Sequence, residues 1–279
     1  MIFGTLAAKT NDPNVCADFE QAKAAYDKDG YLIYDFGFSD DLLEDLATAT
    51  KSMIGTHVRV QDMWRVNSAV KSLGAHPDVI AFLSKLYARR AFPFQTLNFC
   101  VGTQQHTHAD SIHFSAVPEK FMCGVWVAFE DIDMENGPLH YYPGSHKRPY
   151  AGISEVEAQA DGDVVRFFAG EVASYEKDYG IIKKGQAVIW AANVLHGGDP
   201  IIDATRTRLS QVTHYFFDDC LYITPLNKHE RPRNYVRYPY DFSTGKFIKG
   251  RKDGKTVSPH IYTFLKTHLN KLMKRTPSV

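Results

Sequence analysis

The chain has 279 residues, 44% hydrophobic and 23% charged, enough apolar side chains to bury a sizeable core in one large or two small domains. Thirty-two basic and thirty-two acidic side chains cancel to zero, which argues against a whole-surface field that gathers nucleic acid or anionic lipid. The balance is uneven: residues 227–279 hold 13 Lys and Arg against 3 Asp and Glu, an excess of ten positive charges that the body of the chain offsets.

Residues 16–29 carry helical spacing at Phe19, Ala22, Ala25 and Tyr26, stop at Gly30, and run into an alternating stretch over 31–36 that predicts a strand. A second helix follows, capped by Ser39 or Asp40, with Leu42, Leu43, Leu46 and Ala47 as its apolar stripe. The polar segment 56–68 holds Trp64 and Arg65 without periodicity, and reads either as a lid over a site or as a surface connection. A third helix is predicted over 77–90, its terminal Arg89-Arg90 pair suiting the negative end of the helix dipole.

From residue 92 to 217 the pattern changes to short β-rich runs at 94–101, 123–131, 139–142, 180–182, 187–191 and 209–217. Many short strands at this spacing predict a sandwich or barrel of antiparallel strands. The fold class expected is mainly β with α decoration, in one domain: a helical N-terminal part (1–91), the β core (92–217) and a basic C-terminal extension (218–279). The acidic stretch 155–178 reads as a loop with room for one short strand. Near the end, Ile261, Phe264, Leu265, Leu269, Leu272 and Met273 mark an amphipathic helix with Lys266, Lys271, Lys274 and Arg275 on its polar side. It reads as a helix docked on the β core, with contact to an anionic group or membrane surface as the alternative.

Cys16, Cys100, Cys123 and Cys220 are far apart and form no CxxC, so they suggest neither a disulfide framework nor a zinc knuckle. The opening residues lack a long apolar run, and no stretch approaches the roughly 18 apolar residues of a spanning helix. A cytoplasmic protein without a transmembrane segment is expected.

The most informative segment is Gln104-Gln-His-Thr-His-Ala-Asp-Ser-Ile-His-Phe114. On a strand, side chains two apart share a face, so His108 and Asp110 can offer an imidazole nitrogen and a carboxylate oxygen to one ion. An isolated HxD is weak, but His196 lies just past the apolar run 187–191, and Arg208-Leu-Ser210 opens the alternating run that follows. Two histidines and one carboxylate on one face of an octahedral ion leave three positions open, the arrangement of non-haem Fe(II) oxygenases. A strand-borne arginine nearby suits a dicarboxylate through a bidentate pair. His106 shares the predicted face, so a cupin-like set of His106, His108 and His196 is an alternative, although no glutamate follows where that set wants one. His113 and His140 read either as substrate contacts or as structural histidines.

His108-Ala-Asp110, Trp126-Val-Ala-Phe-Glu-Asp-Ile with Glu135-Asn-Gly-Pro-Leu139, Pro143-Gly-Ser-His-Lys147, His196 and Arg208-x-Ser210 together resemble the phytanoyl-CoA dioxygenase family of Fe(II)- and 2-oxoglutarate-dependent oxygenases, over about residues 29–217. The resemblance implies a double-stranded β-helix (jelly-roll, cupin-like) core, with His108, Asp110 and His196 as iron ligands. It places the distal carboxylate of 2-oxoglutarate at Arg208 and Ser210, with Trp126 lining that pocket and Gln95 or Asn98 beside it. Arg206 competes with Arg208, but Arg208 stands in the R-x-S arrangement. His146 falls in a family turn and is not a ligand. His106, His113, Phe114, Trp64 and Arg65 are candidates for the substrate pocket. Asp110 favours oxygen transfer over halogenation, since halogenating relatives lack this carboxylate.

The function so implied is hydroxylation of an unactivated C–H bond of a small or carrier-linked metabolite, consuming O2 and releasing succinate and CO2. Two other readings are a non-catalytic jelly-roll binding protein and a cupin-type isomerase or hydrolase using Zn or Mn. No nucleic-acid partner is expected, the basic C-terminal stretch is a candidate contact for an anionic group, and the oligomeric state is open.

Overall fold

The computed structural model describes residues 15–54, 59–225 and 235–257. Helix α1 (Phe19–Asp29) starts where the Asp18 carboxylate accepts from the Gln21 N–H at 2.9 Å, and ends at Gly30 with φ 83°. Any side chain at Gly30 is excluded twice, by that left-handed backbone and by the His146 ring, which a Cβ would meet at 2.4 Å. Strand β1 (Tyr31–Asp35) and helix α2 (Asp40–Ile54) follow, the latter with the Ser39 hydroxyl accepting from the Leu42 N–H at 3.3 Å. The polar segment around Trp64 holds strand β2 (Arg59–Gln61) and a 3-10 turn, Met63–Arg65. Helix α3 (Ser68–Gly74), capped by Asn67, went unpredicted because it is only two turns long.

Helix α4 (Pro77–Tyr87) stops short of the predicted 77–90, with Ala88 in a left-handed conformation. The Arg89-Arg90 pair therefore does not serve the helix dipole. Arg90 instead bridges Asp218 at 2.8 Å and Asp241 at 2.9 Å, tying the helical layer to the last part of the chain.

The next strands are β3 (Ala91–Phe99), β4 (Ser115–Val117), β5 (Met122–Ala128) and β6 (Leu139–Tyr141). The stretch read as a loop at 155–178 contains helices α5 (Ile153–Ala160) and α6 (Val164–Glu171) and the short strand β7 (Asp178–Tyr179). Its acidic residues obscured a real apolar spacing: Val156, Ala160, Phe167 and Phe168 bury against Tyr142 and Leu195. Then come β8 (Gln186–Ala191), β9 (His196–Gly198), β10 (Ser210–Phe217), β11 (Leu221–Thr224) and β12 (Tyr235–Val236). Two small hairpins follow, β13 (Tyr240–Asp241) with β14 (Lys246–Phe247), and β15 (Gly250–Lys252) with β16 (Lys255–Val257).

The main sheet is antiparallel throughout, in the order β1-β8-β5-β10-β3-β2. Period-2 alternation divides its two faces. Val125, Val127, Ala187, Ile189, Tyr215 and Phe217 pack outward against the N-terminal helices, with Leu46, Phe82 and Leu83 among their partners. Trp126, Val188, Trp190 and Val212 point inward to Leu139 and Tyr141 of a second sheet, β7-β6-β9. Farther along the inner face, Phe92, Phe94, Met122 and Phe216 meet Ala116 and Tyr222 of a third sheet, β12-β11-β4. The result is the expected jelly roll, with helices on one outer face and a cavity between the two inner apolar clusters.

Two expected boundaries shift. The N-terminal part is not only helical, because β1 and β2 form the two edges of the main sheet. The C-terminal part is not simply an extension, because β11 and β12 pair onto the core. The amphipathic helix predicted near 261–273 lies outside the described residues. Among the described residues no helix is long and apolar enough to cross a membrane, and all four cysteines are free.

Candidate metal centre

The HxD segment is not on a regular strand. His108 makes a single antiparallel bridge with His196, Ala109 is extended, and Asp110 opens a 3-10 turn, Asp110–Ile112. One extended residue suffices to put both side chains on the same side, so the pairing expected of a strand survives without one.

The ligand atoms of His108, Asp110 and His196 lie within 4.8 Å of one another. The His108 Nε2 is 3.7 Å from Asp110 Oδ1, and the His196 Nε2 is 3.8 Å from Asp110 Oδ2. These separations exceed hydrogen-bond length and leave room for an ion between the groups. Each imidazole is oriented by its own backbone: the His108 Nδ1–H donates to the His106 carbonyl at 2.9 Å and the His196 Nδ1–H to the Val194 carbonyl at 3.0 Å. A carbonyl only accepts, so each Nδ1 carries the proton and each Nε2 presents a lone pair. Burial, reinforced by His108, pulls His196 down to about 4, so it is neutral and able to ligate at physiological pH. Burial alone would raise Asp110, but His196, His108 and His214 outweigh it and hold the carboxyl well below its usual range.

Neighbouring groups fix this arrangement. The Trp190 indole N–H donates to Asp110 Oδ2 at 2.9 Å. The turn after Pro143 clamps the strand carrying His196, with the Ser145 hydroxyl accepting from the Leu195 N–H at 2.8 Å. His140 donates from Nδ1 to Asp199 at 2.8 Å and accepts from the Thr107 hydroxyl at 2.9 Å, while Lys177 reaches Asp199 at 3.0 Å. His140 therefore links the loop before His108 to the residues after His196, and its role is structural. His146 packs on Gly30.

The triad opens onto a cavity of about 340 Å³. Arg208 and Trp126 line it, both essentially without solvent exposure. Arg208 donates to the Gly137 carbonyl at 2.8 Å and lies over the Trp126 and Phe99 rings, 5.5 and 5.9 Å from their centres. Burial pulls its guanidinium down to about 10, still protonated at neutral pH, and no carboxylate among the described residues pairs with it. Arg208 Nε, Trp126 Nε1 and the Tyr141 hydroxyl are buried donors with no acceptor among the described residues. A buried unpaired charge costs several kcal/mol, so this end of the cavity is built for an anion that no described residue supplies. Arg206, the competitor, faces outward and holds Asp133 at 2.8 and 2.9 Å.

Ser210 is buried two residues beyond Arg208, and its hydroxyl donates to the Arg208 carbonyl at 3.2 Å. Gln95 lines the cavity and accepts from His214 Nδ1–H at 2.9 Å. Asn98 does not reach it: strand alternation turns it to the opposite face, where it donates to Gln211 at 3.3 Å. His113 and Phe114 line the cavity. His106 is exposed in an outer groove, and only its carbonyl serves the site. Trp64 and Arg65 are also away from the cavity; Trp64 stacks on Phe242 at 4.7 Å, and Arg65 covers its ring. The stack anchors the hairpin β13–β14 and gives no sign of a lid.

Among the lining residues that sequence reasoning missed are His214 and Arg237. His214 has its Nε2 3.6 Å from Asp110 Oδ2, and the period-2 alternation from Arg208 through Ser210 and Val212 was the signal that could have found it. Arg237 lies in a stretch read only as basic; nothing in the sequence marks its approach to the site.

Residues 9–206 match the family model described as Phytanoyl-CoA dioxygenase (PhyH). Among curated proteins, the phytanoyl-CoA dioxygenase domain-containing protein 1 of Mus musculus is 26% identical over 137 residues, 47% of this chain and 43% of that protein. The chain thus spans less than half the length of this relative. Among solved structures, the non-haem alpha-ketoglutarate-dependent carbocyclase SnoK from nogalamycin biosynthesis superposes with a TM-score of 0.60 at 16% identity, over 73% of this chain and 86% of that one. EctD from S. alaskensis with 2-oxoglutarate and 5-hydroxyectoine superposes with a TM-score of 0.57 at 18% identity, over 77% and 81%. These structural likenesses bear on the fold, whereas the family match covers most of the chain: this protein belongs to the phytanoyl-CoA dioxygenase (PhyH) family.

Proposed function

We propose that this protein is an Fe(II)- and 2-oxoglutarate-dependent oxygenase that hydroxylates a C–H bond of a small or carrier-linked molecule. The observation that carries this reading is one cavity containing both the His108, Asp110 and His196 cluster and the buried, unpaired Arg208. Ferrous iron with 2-oxoglutarate supplies the oxidising chemistry: one O2 atom enters the substrate as hydroxyl and the other enters succinate, with loss of CO2.

The chain's own contribution is placement. His108 and His196 offer Nε2 lone pairs because their Nδ1 protons are committed to backbone carbonyls, and Asp110 adds one anionic oxygen. Arg208 would donate to the distal carboxylate, with the Trp126 indole N–H beside it as a second free donor. Trp190 holds Asp110 by its N–H while its ring helps dry the site. The structural relatives include a carbocyclase, so the oxidative outcome is assigned by experiment and not by likeness.

The deciding experiment adds Fe(II) to the anaerobic metal-free protein with 2-oxoglutarate and records the visible metal-to-ligand charge-transfer band. The reading requires a band in wild type, none in His108→Ala and a weakened band in Arg208→Ala. Absence of a band in wild type at saturating iron and cosubstrate overturns it.

A further inference from the structure

We propose that Arg237 binds an anionic group of the substrate, a carboxylate or a phosphate ester, at the end of the cavity opposite Arg208. The inference rests on the reading of this cavity as the substrate site and names the class of molecule it takes.

Strand β10 sets the direction. Arg208 precedes its first residue and sits on Trp126 and Phe99, whereas His214 and Phe216 lie toward its far end. Arg237 belongs to that far end. Its guanidinium lies 4.7 Å from the Phe114 ring centre and 5.7 Å from that of Phe94, and Phe94 stacks on Phe216 at 4.2 Å. The Phe114 ring is in turn 5.2 Å from the His214 ring, whose Nε2 is 3.6 Å from Asp110. Arg237 and the metal-ligand cluster therefore share one cavity, with Phe114 and His214 between them, so an anion held by Arg237 lies apart from the cluster and on the same wall.

Arg237 is held in place but not neutralised. Its backbone N–H donates to the Tyr222 carbonyl at 2.6 Å, and one terminal nitrogen, Nη1, donates to the His113 carbonyl at 3.3 Å and the Thr224 hydroxyl at 3.2 Å. Among the described residues no carboxylate lies within ion-pair distance. Asp62, the acid that acts on it electrostatically, is engaged by Arg65 at 3.6 Å and by the Trp64 N–H at 3.0 Å. Arg237 is half-buried against Phe94 and Phe114, and desolvation pulls its guanidinium down to about 10, so it stays charged at neutral pH. Its planar fork on an aromatic face suits a carboxylate or phosphate oxygen pair. The cavity lining agrees: three arginines, Arg59, Arg208 and Arg237, face a single acid, Asp110, whose charge a metal ion would offset.

The test measures saturation-transfer NMR binding of hexanoate, hexyl phosphate and hexanamide to the full chain loaded with 2-oxoglutarate and Zn(II), a redox-inert stand-in for iron. At least one anion should bind at least about tenfold more tightly than the amide. Hexanoate preferred over hexyl phosphate identifies a carboxylate, and the reverse a phosphate ester. Arg237→Gln should erase the preference and Arg237→Lys should keep part of it. Equal binding of amide and anions, an unchanged preference in Arg237→Gln, or no anion binding overturns the inference; should Arg237→Gln fail to fold, Arg237→Lys and the wild-type comparison decide. The iron charge-transfer band is read separately, so a band without anion preference sinks this inference alone, and a preference without a band sinks the proposed function alone.

Discussion

His108 and His196 are a single antiparallel backbone pair, each N–H donating to the other's carbonyl at 2.9 Å. Because these bonds are made by the main chain, replacing either side chain removes a proposed ligand and keeps the bridge. His108→Ala is expected to retain the wild-type far-UV circular dichroism and to lose stoichiometric metal. In wild type, metal at a hundred times its dissociation constant should add about 2.7 kcal/mol of stability, which a chelator removes. The variant's Tm should not respond to metal or chelator. Metal analysis showing full occupancy in His108→Ala would remove this histidine from the site.

Arg208 sets stability against function. Truncating one partner of a buried charge pair costs about 2–5 kcal/mol of binding, so Arg208→Met should weaken 2-oxoglutarate binding by roughly 30-fold or more. The same change removes a buried guanidinium with no counter-ion among the described residues, and should stabilise the ligand-free protein by on the order of 1 kcal/mol, read as a higher Tm. A lower Tm together with unchanged cosubstrate affinity would contradict both halves of the argument.

The parts of this fold legible in the sequence are those where one local rule acts alone. The nearly unbroken apolar runs of β5 and β8 mark strands buried on both faces directly, because one side packs on the N-terminal helices and the other on the inner sheets. The HxD, the later histidine and the R-x-S arrangement were readable as motifs, and the structure brings His108, Asp110, His196 and Arg208 around one cavity. What stayed hidden depends on the return of distant chain. The sequence leaves Gln95 and Asn98 as alternatives, since their immediate neighbours do not reveal which side of β3 meets α2 and which meets the cavity; Gln95 lines the cavity and Asn98 faces α2. Arg237 comes from a segment whose approach is set by β11 and β12, pairings that no local spacing encodes. Helices α5 and α6 were obscured by acidic residues on their solvent side.

Gly124 makes room for Trp190, which orients Asp110 of the proposed metal site. A Cβ there would meet the Trp190 ring at 2.3 Å, and Trp190 donates to Asp110. Gly124→Ala should displace the indole and release the carboxylate that it orients. Losing a hydrogen bond that orients a metal ligand typically costs 10–100-fold in affinity, so metal affinity should fall by about that factor. Trp190→Phe, which removes only the N–H, should show a smaller fall of the same sign. Equal metal affinity in Gly124→Ala and wild type would mean that Trp190 does not position Asp110.

Asp241 anchors the hairpin β13–β14 to the core. Its carboxylate has no solvent exposure and accepts from the Ser243 N–H at 2.9 Å, the Thr244 hydroxyl at 2.8 Å and Arg90 at 2.9 Å. Burial works to raise its pKa, but Ser243, Arg90 and Thr244 together lower it below the ordinary value. A carboxyl with a depressed folded-state pKa contributes stability that is complete above the unfolded value, about 3.9, and fades as pH falls through the folded value. Asp241→Asn should therefore cost about 1.5–3 kcal/mol at pH 7, the range for hydrogen bonds to a charged group. The gap in Tm between wild type and variant should hold down to about pH 5 and narrow below pH 4. A gap that is the same at pH 7 and pH 3 would mean that the charge of Asp241, as distinct from its shape, contributes nothing to holding the hairpin.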